Sequence, residues 1–394
     1  MRHNFEWRRS RAALGALALL IIALYVLQYW TLPKYSAIPR AFTSFGLFWG
    51  YINVHLEPGW ADAAILAVVA GSFAVLVALE IRHSEITRLL HRCFRSKRAT
   101  WSLLAVSTLV ISRAYFASGE ANWSGDGSAH LAYIYAAAHC IAAGEIPIWT
   151  NQIGLGSPYL QYYGFLYFYL VGFLDLIVGE LFTTIKISLA LSHIASVLGM
   201  YLLVRTAARS RAAGFLGALI YALCFWHLQQ VLLMGRFPLS LFYALLPWPF
   251  YFFERVRLPN QRVPAVCGGA LSLGLLPFVH PGYGFWATFF FSLYAGLRLI
   301  FSPRLGHRAT WIATGLMGLS AILFGAYLTL PMWLERAGTG LDSGIILSNV
   351  PDPSWKRVFV WSNLVFPLLP LSAREGNWYG GYLGTVPTVL ALIG

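Results

Sequence analysis

Long apolar runs recur through this sequence, and its charged residues are confined to short clusters between them. A bilayer core is crossed by about 20 apolar residues coiled as a helix, because there every backbone N–H and C=O must be satisfied within the segment. By that ruler, spans are expected over residues 12–30, 60–79, 100–117, 184–204, 212–231, 240–253, 264–280, 283–300 and 310–330. A tenth run begins near Gly381 and supplies too few residues to cross before the sequence stops, so the core is expected to be incomplete at its C-terminus. The implied fold class is an all-α polytopic membrane protein of about nine to ten transmembrane helices. Composition points the same way, with 58% hydrophobic residues, 11% charged residues and a mean hydropathy of +0.64, outside the range of soluble domains.

The net charge of +13 does not indicate nucleic acid, because the basic residues sit at the ends of apolar runs, where they orient a membrane protein and meet anionic headgroups. With the N-terminus in the cytoplasm, 19 of the 28 Lys and Arg residues fall on the inner side. The loops 118–183 and 331–380 then face outward. The start, Arg8-Arg9-Ser10-Arg11 followed by Ala12 to Trp30, has the basic flank of a signal peptide. Its apolar core is long enough to span and no A-x-A cleavage site follows, so it reads as a retained anchor. Cys93, Cys140, Cys224 and Cys267 are scattered, without the spacing of a zinc site or a disulfide framework, and read as packing residues.

Two segments of the first outer loop are expected to form juxtamembrane helices. Tyr162 to Gly179 is apolar enough to span, but counting it would move Arg205, Arg209 and Arg211 outside, so it is read as a helix lying along the outer surface or re-entering it. Ser128 to Ala143 is the other, ended by Gly144 and Pro147. On that helix Asp126 and His130 lie about 40° apart, while His139 points to the opposite side.

The strings GDGSAHL, GEIPIW, GLGSP and YYGFLYFYL in this loop resemble the first outer loop of the GT-C superfamily of polytopic glycosyltransferases. Within it the sequence is most similar to the membrane proteins labelled "6-pyruvoyl-tetrahydropterin synthase-related" and to YfhO-type proteins. Gly235-Arg236-Phe237-Pro238, Leu246-Pro247, Val279-His280-Pro281 and Tyr382-Leu383-Gly384 carry the likeness further. It covers residues 100–394 as a GT-C-like core and leaves 1–99 as an added N-terminal hairpin with a basic cytoplasmic loop.

The resemblance implies sugar transfer from a polyprenyl-phosphate-linked donor to an acceptor on the outer face of a bacterial or archaeal inner membrane. It also implies that the acidic residue of the first outer loop, here Asp126, is a base or metal ligand. Relatives often carry a second carboxylate in the next outer loop. Here that loop reads GRFPLS and has none, so no metal site is assigned, and the cofactor is left open between none and a divalent cation. The alternative is a non-catalytic membrane protein that binds or moves lipid-linked sugars in cell-envelope assembly.

Glycosyl transfer to a hydroxyl needs a base and a positive charge for the departing phosphate. Asp126 is the candidate base, or simply the N-cap of the helix that follows it. His130 either orients Asp126, binds phosphate or acceptor, or is an ordinary interfacial histidine. Arg236, with no carboxylate nearby in sequence, is either a ligand for the donor phosphate or an arginine that snorkels to lipid headgroups. His280 and Lys186 are further donor-phosphate candidates, and His193 shares a span with Lys186. The Tyr/Phe stripe from Tyr159 to Tyr169 fits either sugar stacking or an interfacial aromatic belt. The expected partners are therefore a lipid-linked sugar, membrane lipids and an unidentified acceptor.

Overall fold

The computed structural model describes residues 92–335 apart from 117–125, 152–156, 234, 259–260 and 302–307, together with helical residues 67, 71, 74–82 and 88. The expected spans 12–30 and the run near Gly381 lie outside the described residues, as does most of 60–79. The chain divides into two compact units. Apart from the ends Lys97–Thr100 and Phe225–Trp226 of two helices, the features that follow belong to the unit formed by Trp101–Leu223 and His227–Pro351.

Its order is helical apart from one short β pair. Helix α1 (Lys97–Ser112) leads through a 3-10 turn to α2 (Gly127–Ala142), then to β1 (Trp149–Thr150) and β2 (Ser157–Pro158), which pair antiparallel with Trp149 opposite Pro158. There follow α3 (Leu166–Val178), α4 (Leu181–Ala208), α5 (Arg211–Ala222) and a single turn, α6 (Phe225–Leu228), that passes into a π-helical turn at Gln229–Leu233. Helices α7 (Phe237–Leu245), α8 (Pro247–Val256), α9 (Arg262–Val279), α10 (Pro281–Phe301) and α11 (Arg308–Leu334) complete it.

Among the described residues four helices are long and apolar enough to cross a membrane: α4, α9, α10 and α11. Their sided burial is that of a bilayer protein. In α11 the inward stripe is Thr310, Ala313, Met317, Ala321, Gly325 and Leu328, while Leu316, Leu319, Ile322 and Leu323 point outward at 52–66% exposure. Small residues inside and large apolar residues outside are what lipid favours, since lipid solvates leucine and only small side chains let backbones approach. Helix α9 packs along α11 on this stripe. There a Cβ on Gly269 would collide with the Met317 sulfur, and one on Gly274 would stand 3.0 Å from the Ala321 carbonyl oxygen.

Two runs expected to be single spans are divided. The run 212–231 breaks after α5, where the Tyr221 carbonyl at the helix end accepts from the Leu223 N–H and also from the His227 Nδ1 at 3.3 Å. The run 240–253 becomes α7 and α8. Pro247 has no N–H to give the carbonyl four residues back, and the Tyr221 hydroxyl donates to that Tyr243 carbonyl instead, at 2.9 Å. Helix α3, with 13 residues, is about 20 Å long, too short to cross a core of about 30 Å. Helix α2 begins and ends within a residue of its expected bounds.

At the other end of the unit, Glu254 of α8 is buried with its side chain 2% exposed. Its carboxylate accepts hydrogen bonds from Arg257 at 2.8 Å, from Tyr294 at 2.7 Å and from the Nε and Nη2 of Arg298 at 3.1 and 3.2 Å. A carboxylate so deeply placed is tolerable only when its charge and lone pairs are this fully met. The cluster ties α8 to α10.

Candidate functional site

Asp126 precedes the first turn of α2, and Arg236 precedes α7. The fold brings these residues, 110 apart in sequence, together: Arg236 Nε donates to Asp126 Oδ2 at 2.7 Å. The Asp126 side chain is 49% exposed and that of Arg236 21%. Asp126 occupies the N-cap position with φ −83° and ψ −3°, but its side chain makes no cap hydrogen bond. The carboxylate faces the guanidinium rather than the helix that it begins.

Arg236 is held from behind. Its Nη1 donates to Gln230 Oε1 at 2.7 Å, its backbone N–H donates to the Gln230 carbonyl at 3.0 Å, and the Tyr283 hydroxyl also engages the guanidinium. Gln230 is fully buried in the π-helical turn, and its Nε2 has no hydrogen-bond partner. Single π turns of this kind concentrate at functional sites. Between Gln230 and Arg236 the chain reverses at Gly235, whose φ of +63° is a conformation only glycine adopts without strain.

His130, 4% exposed, fixes that reversal. A carbonyl oxygen only accepts, so the 2.8 Å bond to the Gly235 carbonyl places the proton on Nδ1 and leaves Nε2 to accept from the Tyr163 hydroxyl at 3.2 Å. Burial lowers the His130 pKa from the ordinary imidazole range. The Arg236 charge acts in the same direction, while the Gly235 bond and Asp126 oppose both. Its side chain therefore reaches Asp126 only through the loop carrying Arg236, and it is a neutral positioning group in the resting structure.

His280 joins α9 to α10. Its Nδ1 accepts the Tyr283 N–H at 3.3 Å, capping α10, and its ring meets Tyr163 edge-on at 5.2 Å and Tyr283 at 4.7 Å. Accepting that N–H requires the unprotonated ring. Burial first, then the charge of Arg236, lowers its pKa to about 4. Desolvation likewise raises the Tyr163 pKa, assisted by Asp126. Gly164 brings this loop onto the end of α9 so closely that a Cβ would collide with the Val279 carbonyl.

Four of the five residues expected from the sequence, Asp126, His130, Arg236 and His280, thus share one cluster. Lys186 is elsewhere, in the second turn of α4, where its charge acts on the N-cap residue Glu180. The lack of a carboxylate near Arg236 in sequence is corrected by the fold, which supplies Asp126. No local pattern in the sequence singles out Gln230, Tyr163 or Tyr283 individually. The one signal for Gln230 was an amide pair, Gln229-Gln230, inside an apolar run. The tyrosines of the stripe serve as inter-element donors, Tyr159 to the Tyr133 carbonyl at 2.6 Å and Tyr169 to the Pro147 carbonyl at 2.7 Å. His193 is buried against Tyr115, whose hydroxyl lies 3.1 Å from its Nδ1. His139 is exposed and stacks on Tyr135.

The arrangement offers a half-exposed carboxylate able to take a proton and a guanidinium able to hold an anionic oxygen, on a neutral, hydrogen-bonded base. Among the described residues no group of three His, Cys, Asp or Glu lies together as a metal site would require. A family model described as "6-pyruvoyl-tetrahydropterin synthase related domain; membrane protein" matches residues 160–393, more than half of the chain. No curated protein and no solved structure matches it.

Proposed function

The chain belongs to the 6-pyruvoyl-tetrahydropterin synthase related family of membrane proteins, and from that premise we propose that it is a GT-C-like membrane glycosyltransferase with about nine to ten transmembrane helices. In this reading it sits in a bacterial or archaeal inner membrane with its N-terminus in the cytoplasm. It transfers a sugar from a polyprenyl-phosphate-linked donor to an acceptor hydroxyl on the outer face. The observation that supports it is the Asp126–Arg236 pair at the ends of α2 and α7, beside His280. Asp126 takes the acceptor proton as the acceptor oxygen bonds to the anomeric carbon. The bond from that carbon to the phosphate oxygen breaks, and Arg236 exchanges the carboxylate for the departing polyprenyl phosphate. His130 and His280 keep Arg236 in place.

Two observations favour the second reading, a non-catalytic binder or mover of lipid-linked sugars: the carboxylate is already engaged by Arg236, and its loop partner GRFPLS adds no second acid. The two readings separate in one experiment. Full-length protein in lipid is incubated with polyprenyl-phosphate sugars, and free polyprenyl phosphate is measured together with binding of the intact donor. Release of polyprenyl phosphate with a glycosylated acceptor supports the enzyme, and saturable binding without release supports the binder. Neither binding nor release refutes both.

A further inference from the structure

A second polar site lies at the far end of α9 from His280, which the 18 residues of that helix place about 27 Å away. There a pocket of about 540 Å³ opens between α4, α5 and α8, lined by Arg205, Arg209, Arg211, Arg255, Tyr251 and Gln261 among others. Its volume falls within the range of small-molecule sites. Four guanidinium groups line it and no carboxylate does. The nearest acid in sequence, Glu254, is turned toward α10 and taken up by Arg257, Arg298 and Tyr294.

The local structure builds this convergence. Arg209 closes α4 with a φ of +53°, a left-handed turn that a non-glycine residue seldom adopts, and Ser210 caps α5 by accepting the Ala213 N–H at 3.2 Å. This tight reversal puts Arg205, Arg209 and Arg211 on the wall of a single pocket. From α8, Arg255 is set by the Tyr251 hydroxyl at 2.5 Å and by the Gln261 Oε1, which its Nε reaches at 2.6 Å. Arginines that merely snorkel to headgroups fan out into water. Here Arg205, Arg209, Arg211 and Arg255 line one pocket instead.

We propose that this pocket binds a phosphate-bearing anion, its oxygens bridging the α4–α5 arginines and Arg255. Planar guanidinium forks suit phosphate oxygens, and basic pockets between membrane helices take phosphorylated headgroups. A phospholipid headgroup and a soluble phosphate compound present the same oxygens, so the test has two arms. The full chain is reconstituted in phosphatidylcholine vesicles with and without phosphatidic acid. Separately, it is titrated with inorganic pyrophosphate in the neutral vesicles.

Binding and the shift in thermal midpoint are read for the wild type, Arg209→Gly and Arg205→Gln. Glycine adopts the backbone of position 209 freely, and glutamine keeps the helix at 205, so each variant removes a charge with the turn intact. The structure leads us to expect that at least one probe binds and raises the midpoint, and that each variant weakens it about tenfold. A response to phosphatidic acid alone identifies a headgroup site, and a response to pyrophosphate identifies a soluble ligand. Binding of neither probe, or binding unchanged in both variants, overturns the proposal.

Discussion

Replacing Arg236 by methionine, which keeps the stem and removes the guanidinium, separates two contributions that the structure joins in one side chain. The visible one is the ion pair with Asp126. With that carboxylate 49% exposed, it contributes about 0.2–1 kcal/mol, as exposed pairs do. The other is the bond to Gln230, which is fully buried and has one amide hydrogen-bonding atom unmet already. Stripping its Oε1 of a donor costs about 1–3 kcal/mol. Arg236→Met is therefore expected to lose about 1–4 kcal/mol in all, against under about 1 kcal/mol for Asp126→Asn. Gln230→Met in the Arg236→Met background is expected to recover part of the loss, because neither partner is then left buried and unmet. Equilibrium unfolding in detergent, with Asp126→Asn, Arg236→Met and the double variant side by side, measures each. If Asp126→Asn costs as much as Arg236→Met, the ion pair carries the stability and this reasoning is wrong.

Other perturbations follow from the same contacts. Glu254→Ala leaves Arg257 and Arg298 without the buried carboxylate they share, and a loss of about 3–5 kcal/mol is expected in the same unfolding assay. Gly164→Ala drives a methyl group into the Val279 carbonyl and is expected to cost about 1–3 kcal/mol, with a lowered thermal midpoint. His280 is neutral in the folded protein down to about pH 4, whereas an unfolded imidazole takes a proton near pH 6.5. The unfolded state thus binds more protons across that window, so the His280 contribution is present above about pH 6.5 and declines as pH falls toward 4, by at most about 3 kcal/mol. His280→Asn, which retains a capping acceptor, is expected to flatten that part of the pH–stability curve.

What the sequence discloses is unequal, for physical reasons. Helix α2 is legible because its start and end are punctuated by Gly127 and Gly144, and α4, α9, α10 and α11 because their apolar runs are long. The breaks within 212–231 and 240–253 are less so: an apolar run reads alike whether one helix or two carries it, and only the carbonyls taken up by His227 and Tyr221 show where the chain turns. Asp126 and His130 share a helix face, which periodicity reveals. That Arg236 lies against Asp126 depends on how α2 and α7 are placed by α3 and α4, which no local pattern encodes. The burial of Glu254 is not legible in the sequence, because it sits in FFERVR beside basic residues, where a carboxylate reads as a surface group.

The proposed sugar transfer rests on Asp126 as the proton acceptor. Asp126→Asn preserves size and an acceptor oxygen for Arg236 but removes the basicity, so the decisive measurement is its rate of sugar transfer from a polyprenyl-phosphate donor beside its unfolding curve. The account predicts transfer reduced by about 100- to 10,000-fold with stability nearly unchanged. Transfer at the wild-type rate by a folded Asp126→Asn protein would contradict it.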